Sequence, residues 1–380
     1  MIYNIFFVTG KGCQKALFSL ETIVNYYNAR GSAVFVASLD AAKAFDRVNH
    51  FALYSKLMGL GIPLYILNML ICWMSKLNGR VMWNGVMSVM FCIKSSVRQG
   101  GILSPWMFNV YINDMIVRLR NSGLGCNLCT QFAGCILFAD DIMLLSASIL
   151  QLQCMLLVCS DYGVEFDIVF NHKKCYLMQF GLDSFDVNLP NMSLNNVVLQ
   201  WVDRLKYLGV WLCAGKSFKV DYEVNRTKFL SSVFAILQKT ASVSEEIKWN
   251  VIQHSCIPLL LYGIDSLCLN VKGVHKLSVA LNTAVRRCFK LSNFTSVRNV
   301  LYFFNTLPLK LLLDERKIML CKSCLSSSGI LRLCGLLRSN DEDLVDICTK
   351  YDIHYNMPLC KIKSDIKSYC FSVLRDDGLV

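Results

Sequence analysis

Proline is scarce in this sequence, with 6 in 380 residues, and nothing in it resembles a proline-rich linker. Internal repeats and low-complexity tracts are also lacking, which excludes solenoid, fibrous and disordered classes. No apolar run is long and unbroken enough to cross a bilayer. The greasiest stretches, 62–74 and 257–269, are too short or interrupted, the second by Asp265. Residues 2–8 are apolar, but no basic segment precedes them and no clear small-residue cleavage site follows. They read as a strand, or as chain shortened upstream, and not as a signal peptide. A nuclear or cytoplasmic protein with no membrane partner is expected. Zinc patterns are lacking too. Of the 19 cysteines, Cys126 and Cys129 form one C-x-x-C and Cys321 and Cys324 another, and neither has a second ligand pair at zinc spacing. The cysteines read as free thiols in a reducing compartment. Acids are in deficit, 27 against 39 Lys and Arg, giving a net charge of +12. That balance suits a polyanionic partner such as nucleic acid.

What is present is a large apolar fraction, 54%, enough for a sizeable core in two or three subdomains. Residues 14–30 have helical spacing and end at Gly31, and 33–39 form a short run rich in Val and Phe that reads as a buried strand delivering Asp40. Helices are expected at 50–58 and 63–77. Asn84-Gly85 between apolar runs predicts a hairpin. Ser104-Pro105 opens a helix to about residue 120, with serine as cap and proline in the first turn. The runs 135–138 and 142–145 predict a hairpin with Asp140 and Asp141 at its tip, followed by a helix over 150–162. Strands are expected at 174–180 and 205–212. Beyond a boundary near 213–218 the spacing is helical, at 222–240, 245–262, 272–291 and 307–321.

Adjacent acids between apolar strands repel unless protonated or neutralised. Hard divalent cations accept oxygen ligands and keep substrate phosphates in their shell. Two such ions, about 4 Å apart, activate an attacking hydroxyl and stabilise a leaving pyrophosphate. That chemistry draws carboxylates from more than one element, and Asp40, at the end of its strand, is the third candidate beside Asp140 and Asp141. Taken singly, Asp40 reads equally well as a helix cap, and the pair as a solvated turn.

The surrounding order narrows the choice. Asp40-Ala41-Ala42-Lys43-Ala44-Phe45-Asp46 comes first, then Arg98-Gln99-Gly100-Gly101-Ile102-Leu103-Ser104-Pro105, then Phe138-Ala139-Asp140-Asp141, Asn171-His172-Lys173-Lys174, and Tyr207-Leu208-Gly209-Val210. This ordered set resembles the reverse-transcriptase palm, and most closely that of non-LTR (LINE-type) retrotransposons. The resemblance covers roughly residues 5–215, with weaker similarity beyond.

The resemblance implies an α+β fold: a right-hand polymerase palm, with an antiparallel sheet flanked by helices, followed by a mostly helical thumb and connection. It divides the chain into a remnant of fingers and pre-palm segment at 1–32, a palm at 33–215 and a helical region at 216–380. It implies an RNA-directed DNA polymerase acting on an RNA template and a DNA primer with dNTPs and two Mg²⁺ ions, for which Mn²⁺ is a substitute. Asp40, Asp140 and Asp141 are then the metal-binding catalytic acids. Lys174, or its neighbour Lys173, protonates the pyrophosphate. The backbone after Asp40, chiefly residues 41–44 and with them Ala41 and Ala42, approaches the triphosphate, Phe45 lies under the sugar and excludes a 2′-hydroxyl, and Gln99 and Gly100 lie against nucleotide and template. Leu208 and Gly209 belong to a primer-gripping hairpin. Arg226, Lys228, Lys239, Lys248, Lys272, Lys276, Arg286, Arg287 and Lys290 are candidates to line a duplex groove through phosphate contacts. Little precedes the first helix, and no endonuclease domain is recognised, so the resemblance also implies a 5′-truncated copy. The alternative expectation is a catalytically inactive relic that retains nucleic-acid binding. A weaker rival is an RNA-templated RNA polymerase or an intron maturase relative.

Overall fold

The computed structural model describes residues 12–181, 189–265 and 267–376. The apolar segment at 2–8, and residues 1–11 of the expected remnant at 1–32, lie outside these residues. The chain divides into two compact units: residues 1–16, 26–203 and 214–217 in one, and 17–25, 204–213 and 218–380 in the other. Helix α1 (Cys13–Asn28) gives its two ends to the first unit and its middle to the second.

The first unit is α+β. Its sheet holds β1 (Val34–Asp40), β2 (Cys135–Phe138), β3 (Asp141–Ser146), β4 (Tyr176–Phe180), β5 (Met192–Leu194) and β6 (Val197–Trp201), in the order β5-β6-β4-β1-β3-β2. Neighbours are antiparallel except β4 and β6, which run parallel. Strand β1 is bonded on both sides, to β3 and β4, which explains its unbroken apolar run. Four helices join this sheet: α2 (His50–Gly59), α3 (Leu64–Ser75), α4 (Ser104–Asn121) and α5 (Ile149–Glu165). One core joins Ala37 and Leu39 of β1, Leu137 of β2 and Leu144 of β3 to Phe108 and Ile112 of α4 and Leu156 of α5.

Sequence marks several of these starts and turns. The Asn49 side chain accepts from the backbone N–H groups of Phe51 and Ala52 and caps α2. Asn84 and Gly85 both have positive φ, 46° and 79°, and close the expected hairpin between Met82–Trp83 and Val86–Met87. Ser104 departs from expectation. It is the first helical residue, Leu103 holds the cap position without a side-chain bond, and the Ser104 hydroxyl donates to the Arg98 carbonyl at 2.5 Å. Pro105 does sit in the first turn.

The second unit is mostly helical. Its small sheet has β7 (Arg204–Tyr207), β8 (Val210–Cys213) and β9 (Lys219–Val220). The single strand expected at 205–212 is thus a tight hairpin, because the apolar run continues through its turn. The helix expected over 245–262 is two, α7 (Glu245–Ser255) and α8 (Ile257–Leu261), with Pro258 in the first turn of the second. The remaining helices are α6 (Glu223–Lys239), α9 (Val271–Cys288), α10 (Arg298–Phe303), α11 (Leu309–Leu325), α12 (Ile330–Ser339), α13 (Glu342–Lys350) and α14 (Leu359–Asp376). Trp249, Phe229, Leu260, Leu281 and Leu313 belong to one core here, and Ile318, Leu344, Ile362 and Ile366 to another. Arg338 and Glu21, both buried, pair at 3.4 Å.

In the first unit, a lysine rivets three helices. The Lys56 side chain is only 9% exposed. Its ammonium pairs with Asp114 of α4, donates to the Tyr162 hydroxyl at 3.1 Å, and lies 3.9 Å from the Phe166 ring centre. Removing it deletes charge-assisted and cation–π contacts of a side chain that is itself largely buried, although Asp114 is half exposed. Lys56→Ala is expected to lower unfolding free energy by about 2–4 kcal/mol. Lys56→Met, whose unbranched stem keeps the packing, is expected to lose less. Chemical denaturation measures both, and a loss under about 1 kcal/mol for the alanine variant would remove this cage from the account.

Candidate active site

The site begins with strand register. Asp40, the last residue of β1, pairs with Asp141, the first residue of β3. Residues facing one another on adjacent strands project to the same side of a sheet, so the two carboxylates share a face. Phe138 pairs with Asp141, which leaves Ala139 and Asp140 as a two-residue turn. Ala139 takes φ 55°, a left-handed conformation that costs an alanine roughly 1–2 kcal/mol.

The backbone around the acids is fastened. The Asp140 carbonyl accepts from Ala41 N–H at 3.3 Å, and the Asp40 carbonyl accepts from Asn171 N–H at 2.9 Å. Asp40 N–H donates to the Cys175 sulfur at 3.5 Å. The Asn171 side chain accepts from Lys173 N–H at 3.3 Å and caps the single 3-10 turn His172–Lys174. That turn brings the Lys174 ammonium to 3.6 Å from Asp40 Oδ2. The expected strand therefore starts at Tyr176, two residues after Lys174.

Charge is crowded here. Burial, reinforced by the negative charges of Asp140 and then Asp40, pushes the Asp141 carboxyl up to about 6, and Lys174 opposes the rise. Among the described residues no three His, Cys, Asp or Glu side chains form a ready metal cage. The donors nevertheless suit a hard divalent cation. Mg²⁺ in phosphoryl-transfer sites takes one or two carboxylates and completes its shell with water and substrate phosphates, so a closed protein cage is not required.

The neighbouring candidates occupy the same unit. Phe45 is half-buried against Phe108 of α4, ring centres 5.2 Å apart, and its carbonyl accepts from Val97 N–H at 2.8 Å. Val97 leads into the turn that exposes Gln99 and Gly100. Gly100 has φ 80°, and a Cβ on Gly101 would lie 2.7 Å from the Ser104 hydroxyl, so this turn tolerates little besides glycine. Ala41 N–H serves Asp140 and Ala42 N–H donates to Val169 at 2.8 Å, so both amides are spent inside the fold. The amides of Lys43, Ala44 and Phe45 have no backbone acceptor among the described residues. Lys43 is itself left-handed, φ 52°.

Leu208 and Gly209 belong to the second unit. They form the two-residue turn of the β7–β8 hairpin, with φ 45° and 80°. The Tyr262 hydroxyl donates to the Leu208 carbonyl at 3.0 Å, and a Cβ on Gly209 would lie 3.0 Å from the same ring. The basic candidates fare unevenly. Arg226 and Lys276 both pair with Glu223, Lys290 pairs with Glu245, and Lys248 is buried with its ammonium on the Ala241 carbonyl. Lys248 is therefore a core lysine and not a groove-lining one. Lys228, Lys239, Lys272 and Arg287 are exposed.

Sequence reasoning passed over Cys175 and Val169. Both accept from backbone N–H groups of the Asp40 segment, Val169 through its carbonyl, which leaves no mark on residue type, and Cys175 through its sulfur. The adjacency of Cys175 to Lys174 was the one available signal.

Residues 5–212 match the family described as Reverse transcriptase (RNA-dependent DNA polymerase). A Pol polyprotein of a type-1 R2 retrotransposable element from Popillia japonica is 26% identical over 281 residues, covering 72% of this chain and 38% of that protein. The RNA-directed DNA polymerase from the mobile element jockey of Drosophila melanogaster is 26% identical over 282 residues, covering 71% and 29%. The chain thus spans well under half the length of these two relatives. Among solved structures, apo telomerase from Candida tropicalis aligns at a TM-score of 0.46 and 13% identity, over 94% of this chain and 56% of that one.

The left-handed turn residue gives a direct test. Ala139→Gly is expected to raise stability by up to about 1 kcal/mol, and Ala139→Val to lower it by about 1–2 kcal/mol. Thermal unfolding reads both, and a valine variant as stable as the parent would show that the turn is not held at positive φ.

Proposed function

The chain belongs to the reverse transcriptase (RNA-dependent DNA polymerase) family, and from that premise we propose that it is the polymerising part of a LINE-type element protein. Residues 33–215 act as the palm and 216–380 as a thumb and connection. The observation that carries this reading is the register that sets Asp40 opposite Asp141 with Asp140 at the adjoining tip. The reaction is addition of dNTPs to a DNA primer 3′-hydroxyl on an RNA template.

Asp40, Asp140 and Asp141 hold divalent ions, Mg²⁺ by preference. When bound, the ions supply activation of the primer hydroxyl and neutralisation of charge on the leaving pyrophosphate. The raised Asp141 carboxyl is consistent with acids that lack enough positive charge around them. Lys174 donates a proton to the pyrophosphate. Its present ion pair with Asp40 is exposed and so weak enough to exchange. The amides of Lys43 to Phe45 take the triphosphate in place of those of Ala41 and Ala42, and the left-handed Lys43 suits the turn geometry that gathers N–H groups around an anion. Phe45, supported from below by Phe108, sits under the sugar and excludes a 2′-hydroxyl. Gln99 and Gly100 flank nucleotide and template, and Leu208 and Gly209 hold the primer end.

Purified protein is expected to extend oligo(dT) on poly(rA) with Mg²⁺, and chelation is expected to stop it. Asp140→Ala should cut incorporation about 100-fold or more, the scale of losing one electrostatic partner of the transition state. Incorporation no greater than that of the variant would leave the chain as a non-catalytic nucleic-acid binder. Phe45→Ala should raise the use of rNTPs relative to dNTPs about tenfold or more. An unchanged ratio would take Phe45 out of sugar selection.

A further inference from the structure

A basic pocket in the second unit has no part in this chemistry. It has a volume of about 350 Å³ and lies among α10, the start of α11, the end of α13 and α14. Arg298, Lys310 and Lys350 supply its charge, and Tyr302 and Tyr369 its aromatic walls. The Lys350 ammonium lies 4.9 Å from the Tyr369 ring centre and 4.7 Å from that of Tyr351, whose hydroxyl it reaches at 2.9 Å.

The carboxylate facing this group is already engaged. Asp314 is buried and accepts from the Tyr351 hydroxyl at 2.7 Å. Neither Lys310 nor Lys350 makes an ion pair among the described residues. Burial holds the Lys350 ammonium below its usual range; Asp314 opposes the fall, and Lys310 adds a smaller push toward it. Two lysines face one carboxylate here, so positive charge is in excess in a concave, partly apolar place. An anion with several oxygens relieves that excess.

The remaining walls define what accompanies the anion. Leu301, Pro308 and Leu311 are apolar, and Tyr302 and Tyr369 add ring surface. Thr306 is occupied elsewhere, accepting from the Trp249 indole at 3.4 Å and donating to the Phe304 carbonyl at 3.3 Å. A flat, apolar, hydrogen-bond-tolerant group fits such walls, and a nucleobase is one. The volume is at the small end of ligand pockets, enough for a single nucleotide.

We propose that this pocket binds one nucleotide of a single-stranded nucleic-acid segment, with a phosphate among Arg298, Lys310 and Lys350 and the base against Tyr302 and Tyr369. Binding is independent of sequence, because stacking and phosphate contact carry no base identity. The pocket anchors a strand whether or not the chain polymerises, so its test is separate from primer extension.

The probe is a 12-nucleotide single-stranded RNA containing 4-thiouridine, cross-linked to the full chain and mapped by mass spectrometry of its peptides. Cross-links are expected in the peptides holding Tyr302 or Tyr369. The double variant Lys310→Glu with Lys350→Glu should lose them, weaken binding roughly tenfold or more and flatten the salt dependence. Lys310→Arg with Lys350→Arg should keep them. If the glutamate pair lowers the melting temperature, the glutamine pair replaces it. Cross-links absent from both peptides, or undiminished by loss of the lysine charges, would overturn the proposal. Adenosine monophosphate competing as well as the oligonucleotide at equal concentration would also overturn it, by assigning the pocket to a free nucleotide.

Discussion

The pairing of β1 with β3 is the constraint from which the acidic site follows. Side chains on a strand alternate faces, so slipping this register by one residue would put Asp40 and Asp141 on opposite sides of the sheet. Two things prevent the slip. β1 is clamped between β3 and β4, so its register must satisfy both neighbours at once. The β2–β3 turn is also as short as a hairpin allows, which fixes Asp140 in the turn and Asp141 at the strand start. Core residues such as Leu39, Ile142 and Leu144 make the same register the one that buries apolar surface. Thus hydrophobic burial, a non-directional force, ends by positioning carboxylates.

The hairpin tips show how that positioning is enforced. Ala139 and Leu208 are both left-handed without being glycine. Each costs backbone energy that an isolated hairpin of two strands would not sustain. In both turns a carbonyl is bonded from outside the hairpin: that of Asp140 by Ala41 N–H, and that of Leu208 by the Tyr262 hydroxyl. The strain persists because surrounding structure over-determines it. Such over-determined strain clusters where geometry matters for function, and these are the two turns that the family resemblance singles out.

Much of this was legible in sequence where local chemistry is strong. Asn84-Gly85 and the paired apolar runs around Asp140 act within a few residues, and each predicted its element. What failed has a common cause. Spacing alone did not mark the turn in the 205–212 run, because Leu208 is an apolar residue in a left-handed position, and only the family resemblance implied a hairpin there. The β5–β6 hairpin was passed over although Asn195 and Asn196, φ 49° and 62°, form a turn that asparagine tolerates well. The ties to Asp40 from Asn171 and Cys175 come from more than 130 positions away, one from the Asn171 backbone N–H and one from the Cys175 sulfur. Spacing in one sequence carries no information about such contacts. The type of site was therefore readable, while the reason that its parts stay in place was not.

Two ion-paired lysines of the first unit, Lys56 and Lys174, behave oppositely. Lys56 is nearly enclosed, with rings on several sides and two polar partners, and it acts as structure. Lys174 is 65% exposed, meets Asp40 at 3.6 Å, and gains little from a pair that water screens. An enclosed ammonium cannot change partners without a large desolvation penalty, whereas an exposed one can. Asp40, by contrast, is held by backbone bonds and does not follow its partner. The acids are the fixed side of the site and the lysine the movable side. A phosphate arriving beside them finds carboxylates that need cations and an ammonium free to turn toward it.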